Sequence, residues 1–193
     1  SSNQISLIIT DSIANYYAIN SNTGEILWKK NHKSIFISEA KIDKDRFYVI
    51  DSNNKLICFS LIDGEKIWEF SSDNDFIKSQ KKLSLVYDDK KVYFNNSRGD
   101  IYSLEKENGN LAWLTPTRKD SESIKSFMLK TSKLVLDKDK LFFSNNKNTF
   151  FSLDTNSGAI EWIQNINSDL RPVIAGKIIF TISLDKHLIV IEK

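Results

Sequence analysis

Few residues in this sequence carry the side chains that catalysis or metal binding requires. There is one cysteine, Cys58, and there are two histidines, His32 and His187. A nucleophilic cysteine needs a base beside it, and a zinc site needs several cysteine or histidine ligands. Because the histidines occupy different places in the repeat described below, we expect both to be exposed turn or strand residues. Cys58 alternates with Leu56 and Ser60, so we expect Cys58 to be a small buried residue on a β-strand.

Pairs of aspartates recur along the chain and could suggest calcium binding. They are Asp43 with Asp45, Asp88 with Asp89, and Asp137 with Asp139. None is followed by the glycine and glutamate spacing of a calcium-binding loop. Since the pairs recur at the same hairpin in successive repeats, we interpret them as turn residues. The sequence also has no glycine-rich phosphate-binding motif, and it predicts no catalytic residue, metal site or cofactor.

A short motif occurs four times, as "NTGEILW" (22–28), "IDGEKIW" (62–68), "ENGNLAW" (107–113) and "NSGAIEW" (156–162). Its fixed residues are Gly24 and Trp28, Gly64 and Trp68, Gly109 and Trp113, and Gly158 and Trp162. Successive glycines are 40, 45 and 49 residues apart. Repeats of this length are typical of propeller blades.

Each period contains several short strands rich in β-branched and aromatic residues. "RFYVID" (46–51) and "KLICFSL" (55–61) are one example of two strands joined by a polar turn. With the strand before them and the strand that carries the tryptophan, each period has four antiparallel strands. The glycine lies at the turn from the third to the fourth strand, where left-handed backbone is needed. We expect each tryptophan to pack between one sheet and the next.

The repeats "YAINSNTGEILW" and "FSLDTNSGAIEW" resemble the tryptophan-docking repeat of quinoprotein-like (PQQ-type) β-propellers. This resemblance implies an all-β fold of four-stranded antiparallel blades in a single domain over residues 1–193. The expected blades are 1–31, 33–71, 80–115, 124–165 and 170–193, of which three are complete and two partial. The partial blades leave two apolar sheet faces uncovered. Two outcomes stay open: a larger ring of seven or eight blades, or self-association of two copies.

The composition excludes several functional classes. Hydrophobic residues make up 40% of the 193 residues and charged residues 27%, which is enough for a packed core. The net charge is only +2, with 27 basic and 25 acidic residues along the chain. Nucleic-acid-binding proteins concentrate positive charge on one face, so no nucleic-acid partner is expected. No apolar run reaches the roughly 20 residues that span a bilayer.

The stretch 36–68 is similar in rhythm to a blade of the BamB-like lipoproteins. That resemblance implies a non-enzymatic periplasmic scaffold without cofactors, which binds the barrel-assembly subunit of the outer membrane. The lipid anchor of this family would be absent from the present chain. In the family, loops between blades bind the partner through exposed leucine and arginine, and Leu170 and Arg171 in "NSDLRPV" match this pattern. The alternative is an ordinary loop whose leucine packs beneath the blade.

The sequence alone leaves three further interpretations open. Phe127 and Met128 lie near another connection between blades, although strand packing explains them equally well. A fragment of a PQQ-dependent dehydrogenase would have adjacent cysteines and calcium ligands in the rest of its chain. A generic propeller that binds another protein or a glycan would show the same repeats.

Overall fold

A computed structural model describes residues 6–72, 82–117 and 131–193 of the chain. The chain divides into two compact units, 1–82 and 83–193, which are described separately. The described residues form eighteen β-strands and no helix. In these three ranges, therefore, nothing has the helical length and apolar character needed to cross a membrane.

The first unit contains two antiparallel sheets. Strands β1 (Ser6–Thr10), β2 (Asn15–Asn20) and β3 (Ile26–Asn31) form the first sheet in the order β1-β2-β3. Strands β4 (Lys41–Asp43), β5 (Arg46–Ile50), β6 (Lys55–Ser60) and β7 (Lys66–Ser71) form the second in the order β4-β5-β6-β7.

The second unit contains three antiparallel sheets. The third sheet has β8 (Leu85–Tyr87), β9 (Lys91–Asn95), β10 (Ile101–Glu105) and β11 (Leu111–Thr115). The fourth has β12 (Val135–Asp137), β13 (Lys140–Asn145), β14 (Thr149–Asp154) and β15 (Ile160–Gln164). The fifth has β16 (Val173–Ala175), β17 (Ile178–Ile182) and β18 (Leu188–Glu192).

Each sheet is a meander of consecutive strands, as the repeat predicts. The second, third and fourth sheets have four strands each, and the first of the four is only three residues long. Within ranges 6–72, 82–117 and 131–193, the first sheet shows no counterpart of that short strand, and the fifth sheet shows no strand that carries a tryptophan. The all-β fold of four-stranded units with a partial sheet at each end is therefore confirmed. The predicted blades 1–31, 80–115 and 124–165 each begin outside the described residues.

The repeated glycine forms the turn between the last two strands of a sheet. The Gly64 amide donates to the carbonyl of Ser60 at 3.0 Å, and the Gly158 amide donates to Asp154 at 2.9 Å. Both glycines have a positive φ, of 71° and 74°. A side chain in this conformation would clash with the neighbouring carbonyl oxygen, which explains why glycine is repeated here.

In the first unit, the tryptophan of one sheet packs on the glycine turn of the next. The Trp28 ring donates a hydrogen bond from Nε1 to the carbonyl of Leu61 at 3.1 Å. Its six-membered ring covers Gly64 so closely that a methyl carbon placed there would lie 2.8 Å from it. The ring also stacks on Phe47 of β5 at 6.1 Å between centroids. The predicted packing of an indole between consecutive sheets is confirmed here.

The same arrangement occurs in the second unit. Trp113 donates from Nε1 to the carbonyl of Thr155 at 2.9 Å. A methyl carbon on Gly158 would lie 2.6 Å from its ring. In addition, the hydroxyl of Thr115 donates to the Gly158 carbonyl at 2.6 Å. Two independent copies of the motif thus use the same contacts.

The other two tryptophans are also largely covered. Trp162 stacks on Phe150 at 5.9 Å and packs against the cluster that includes Ile179 of β17. Trp68 is 9% exposed and lies 5.8 Å from the ring of Tyr48 in its own sheet.

A small residue on the third strand lies directly opposite every tryptophan. These residues are Ala18, Cys58, Ser103 and Ser152, paired with Trp28, Trp68, Trp113 and Trp162 respectively. The strand register shifts immediately after each of the four. All four small residues are fully buried. A small side chain at this point leaves room for the indole on the same face of the sheet.

The end sheets expose apolar faces, as the sequence predicts. Leu7 and Ile9 are 50% and 40% exposed, whereas Phe47 and Val49 at the same register in the second sheet are fully buried. On the fifth sheet, Val190 is 56% exposed. These faces resemble blade interfaces that have no sheet packed on them.

Candidate functional site

The predicted residues Leu170 and Arg171 lie in the loop between β15 and β16. Leu170 is 50% exposed, and Arg171 beside it is also exposed, whereas the following Pro172 is buried. About half of the Leu170 surface is therefore accessible in this chain, and a role of Leu170 and Arg171 in partner binding stays a prediction. The loop presents one apolar and one cationic side chain to solvent, directly before the buried Pro172.

Hydrogen bonds from a buried serine fix this loop to the fifth sheet. The Ser168 hydroxyl donates to the carbonyl of Ile182 at 2.7 Å and lies 3.1 Å from the hydroxyl of Thr181. It also accepts a hydrogen bond from the amide of Leu170 at 3.3 Å. Ser168 is fully buried. These contacts hold the backbone of Leu170 in one position, which reduces the entropy that a partner would have to overcome on binding.

A cavity of about 740 Å³ opens beside Arg171. Its lining comes from β12 with its turn, from the loop before β16, from β16 with its turn, and from Lys193 after β18. The lining residues are Val135, Leu136, Asp137, Lys138, Arg171, Pro172, Val173, Ile174, Gly176, Lys177 and Lys193. A volume of this size is within the range of sites that bind small ligands or short peptide segments.

The charges of the cavity are unbalanced. Four lining residues are cationic, and Asp137 is the one acidic residue in the lining. The Lys193 ammonium donates to the Asp137 carboxylate and also to the carbonyl of Gly176 at 3.3 Å. This ion pair leaves Lys138, Arg171 and Lys177 as a net positive group around the opening. The arrangement can bind carboxylates or other anions.

His32 is not the exposed residue that we predict from the sequence. Its ring stacks on Phe36 at 5.1 Å, and its side chain is only 16% exposed. Nε2 lies 3.2 Å from the carboxylate of the buried Asp51. These contacts, with Phe36 and with Asp51 at the start of the turn between β5 and β6, make His32 part of the packing in the first unit. His187, by contrast, is exposed as predicted.

Cys58 is buried opposite Trp68, as predicted for a small packing residue. Burial raises the pKa of its thiol to about 12, because the thiolate would lose its hydration. A thiol with this pKa is almost entirely protonated at neutral pH, so it is a poor nucleophile.

The aspartate pairs lie at turns, where Asp43 and Asp137 end strands β4 and β12 and their partners Asp45 and Asp139 follow in the turn. Asp88 accepts hydrogen bonds from the amides of Lys90 and Lys91, both at 2.7 Å. Burial would raise the pKa of Asp88, but a 2.6 Å hydrogen bond from the Tyr93 hydroxyl, together with these amides, holds it below its ordinary value. Among the described residues, no group of three or more histidine, cysteine or acidic side chains could hold a metal ion. Phe127 and Met128 lie outside the described residues.

A family model described as outer membrane protein assembly factor BamB matches residues 2–193. The chain belongs to this BamB family. Consequently its sheets are the blades of a PQQ-type β-propeller. No curated protein matches the sequence.

Solved structures support the BamB fold. BamB from Moraxella catarrhalis superposes with a TM-score of 0.83 at 14% identity, covering 100% of this chain and 59% of that one. The computationally designed Ika8 protein gives a TM-score of 0.76 at 11% identity, covering 100% of this chain and 57% of that one. The designed Ika4 protein gives 0.65 at 12% identity, covering 84% of this chain and 94% of that one. The chain thus spans less than two thirds of the length of BamB and Ika8.

Sequence reasoning on this BamB-family chain missed the cations around Arg171. Lys138, Lys177 and Lys193 look like ordinary scattered lysines, because they belong to different strands and turns. One signal was available: Lys138 lies in an Asp-Lys-Asp turn of one blade, and Lys177 lies in the equivalent turn of the next. Adjacent blades place equivalent turns side by side.

Proposed function

We propose that this chain is part of a non-enzymatic periplasmic scaffold that assists assembly of outer-membrane β-barrel proteins. It binds the barrel-assembly subunit, and a lipid anchor outside residues 1–193 attaches it to the outer membrane. The observation that carries this proposal is the match of the BamB family model to residues 2–193.

The loop at Leu170 and Arg171 supplies the contact in this proposal. Arginine and apolar side chains that are exposed on a rigid support are frequent anchors of protein interfaces. Leu170 is half exposed, and its backbone is tied to the buried Ser168. The loop therefore has both the side chains and the rigidity that such an anchor needs.

The lack of a catalytic role is supported by the placement of the reactive side chains. Cys58 is buried with a raised pKa, and His32 packs between aromatic rings. His187 is exposed in the β17–β18 hairpin. The thiol and the imidazole of the first unit are therefore both in packed surroundings.

Binding to the barrel-assembly subunit of the same organism tests the proposal. The periplasmic domains of that subunit are immobilised, and binding of this chain is measured by biolayer interferometry. We expect wild-type binding to be weakened about tenfold or more by Leu170→Glu and by Arg171→Glu, as for anchor residues.

Ile62→Glu is the matched control, because Ile62 is an exposed apolar residue in a turn of another blade. It should leave binding unchanged. The proposal fails if the wild-type chain does not bind the subunit. The assignment of the contact fails if Ile62→Glu weakens binding as much as Leu170→Glu does.

A further inference from the structure

The cavity beside Arg171 concentrates positive charge in a chain that is otherwise almost neutral. The whole chain has 27 basic and 25 acidic residues, whereas the cavity lining has four basic residues and one acidic residue. In ranges 6–72, 82–117 and 131–193, Lys138, Arg171 and Lys177 form no ion pair with another residue. Many other lysines of the chain do form ion pairs, for example Lys55 with Glu69 and Lys140 with Glu161.

The backbone holds these cations at the cavity. Lys138 is the central residue of a tight turn, with φ of 55°. Lys177 follows Gly176, whose φ is 61°, and its carbonyl accepts a hydrogen bond from the amide of Lys193 at 2.9 Å. Arg171 precedes the buried Pro172, a residue that restricts the backbone. The opening is thus charged at three defined points.

The walls of the cavity also include apolar side chains. Val135 and Leu136 come from β12, and Pro172, Val173 and Ile174 come from the start of β16 and the residue before it. Val173 is 60% exposed. A free phosphate or other small anion would use the charges but would leave these walls in water. A segment that combines carboxylates with apolar side chains would use both.

We propose that this cavity binds an acidic peptide segment of a protein partner, with carboxylates at Lys138, Arg171 and Lys177 and an apolar side chain against Val173. Arginine binds a carboxylate through two parallel hydrogen bonds, and lysine binds it as a point charge. Asp139 and Asp169 are close in sequence to the lining residues Lys138 and Arg171 but do not line the cavity. They therefore reduce the positive electrostatic potential without occupying the opening. The inference rests on the proposed function, because it describes the chemistry of the partner-binding site.

The test is direct binding of a synthetic probe, measured by fluorescence anisotropy with the purified chain. The probe is a short fluorescein-labelled peptide in which glutamates alternate with leucines. We expect saturable binding that weakens as sodium chloride is raised, because salt screens partly exposed charge contacts. The same peptide with glutamine in place of glutamate should bind about tenfold more weakly or not at all.

Lys138→Glu and Lys44→Glu form a matched pair. Both lysines are the centre of an Asp-Lys-Asp turn with φ of 55°, but Lys44 lies in the turn between β4 and β5 and does not line the cavity. Lys138→Glu, and Arg171→Glu combined with Lys177→Glu, should each weaken probe binding about tenfold or more, while Lys44→Glu leaves it unchanged. Circular dichroism confirms that each variant is folded.

Equal weakening by Lys44→Glu and Lys138→Glu would overturn the proposal, because the probe would then respond to overall charge. Equal binding of the glutamine peptide would also overturn it, as would tighter binding of polyuridylate than of the acidic peptide. If the probe binds as expected but the barrel-assembly subunit does not, the cavity inference stands and the proposed function fails. If the subunit binds and the probe does not, the opposite holds.

Discussion

Replacing Gly64 by alanine tests the central packing contact of the fold. The substitution has two costs. An L-residue at the observed φ of 71° costs about 1–2 kcal/mol. The new methyl group would lie 2.8 Å from the Trp28 ring, and inserting a carbon into a packed contact typically costs about 1–3 kcal/mol. We therefore expect Gly64→Ala to lower the free energy of unfolding by about 2–5 kcal/mol.

Gly24→Ala is the matched control in the same unit. Gly24 forms the same turn, with φ of 74°, but a methyl carbon placed on it would meet no atom within 4 Å. This variant has only the backbone cost of about 1–2 kcal/mol. The difference between the two variants isolates the contact between the indole and the glycine.

Urea unfolding followed by circular dichroism and by tryptophan fluorescence measures both variants. An extra loss of about 2 kcal/mol lowers the urea midpoint of Gly64→Ala by about 1 M relative to Gly24→Ala. In a Trp28→Ala background, where the ring is absent, the difference should disappear. Equal midpoints for the two alanine variants, or a difference that persists without the ring, would refute the reasoning.

Four further variants test other contacts. Cys58→Ala should lower the free energy of unfolding by about 1 kcal/mol or less, because Ala18 occupies the equivalent place opposite Trp28. Cys58→Phe should lower it by about 3 kcal/mol, because the larger ring overpacks the site. Equal losses in urea unfolding would contradict this. Hydrogen bonds from Ser157 and Asn156 hold the pKa of Asp154 below the ordinary value of an aspartate. Its stabilising contribution is therefore present above that ordinary pKa and lost as pH falls through the lower folded pKa, and Asp154→Asn should remove this part of the acid dependence of the urea midpoint. Ser168→Ala should lower the free energy of unfolding by about 1–2 kcal/mol and speed amide exchange at Leu170, while exchange in β5 stays unchanged.

The sequence was sufficient to predict the sheets because two residues per repeat carry most of the information. The glycine defines a turn by its φ, and the tryptophan four residues later lies at a fixed distance along the next strand. Both residues can be read without knowing the rest of the structure. Trp28 on Gly64 and Trp113 on Gly158 show that the same pair also defines how neighbouring sheets pack.

The surroundings of His32 and of Arg171 could not be predicted in this way. His32 is placed by Phe36, Phe59 and Asp51, and the last of these is 19 residues away. Lys138 reaches the cavity of Arg171 only because two sheets stack. Such contacts depend on the distance and rotation between neighbouring sheets. A short sequence motif does not predict either of these quantities.

The packing of Trp28 and Trp113 gives a blade two unlike faces, one with a protruding indole and one with a glycine turn that receives an indole. Two identical faces would not fit together, so blades can be added only in one direction. Any blade that keeps both the tryptophan and the glycine turn can follow any other, whatever its remaining residues are. Gene duplication or loss of one blade would then lengthen or shorten the array without requiring a new interface, while the loops between blades remain free to diverge.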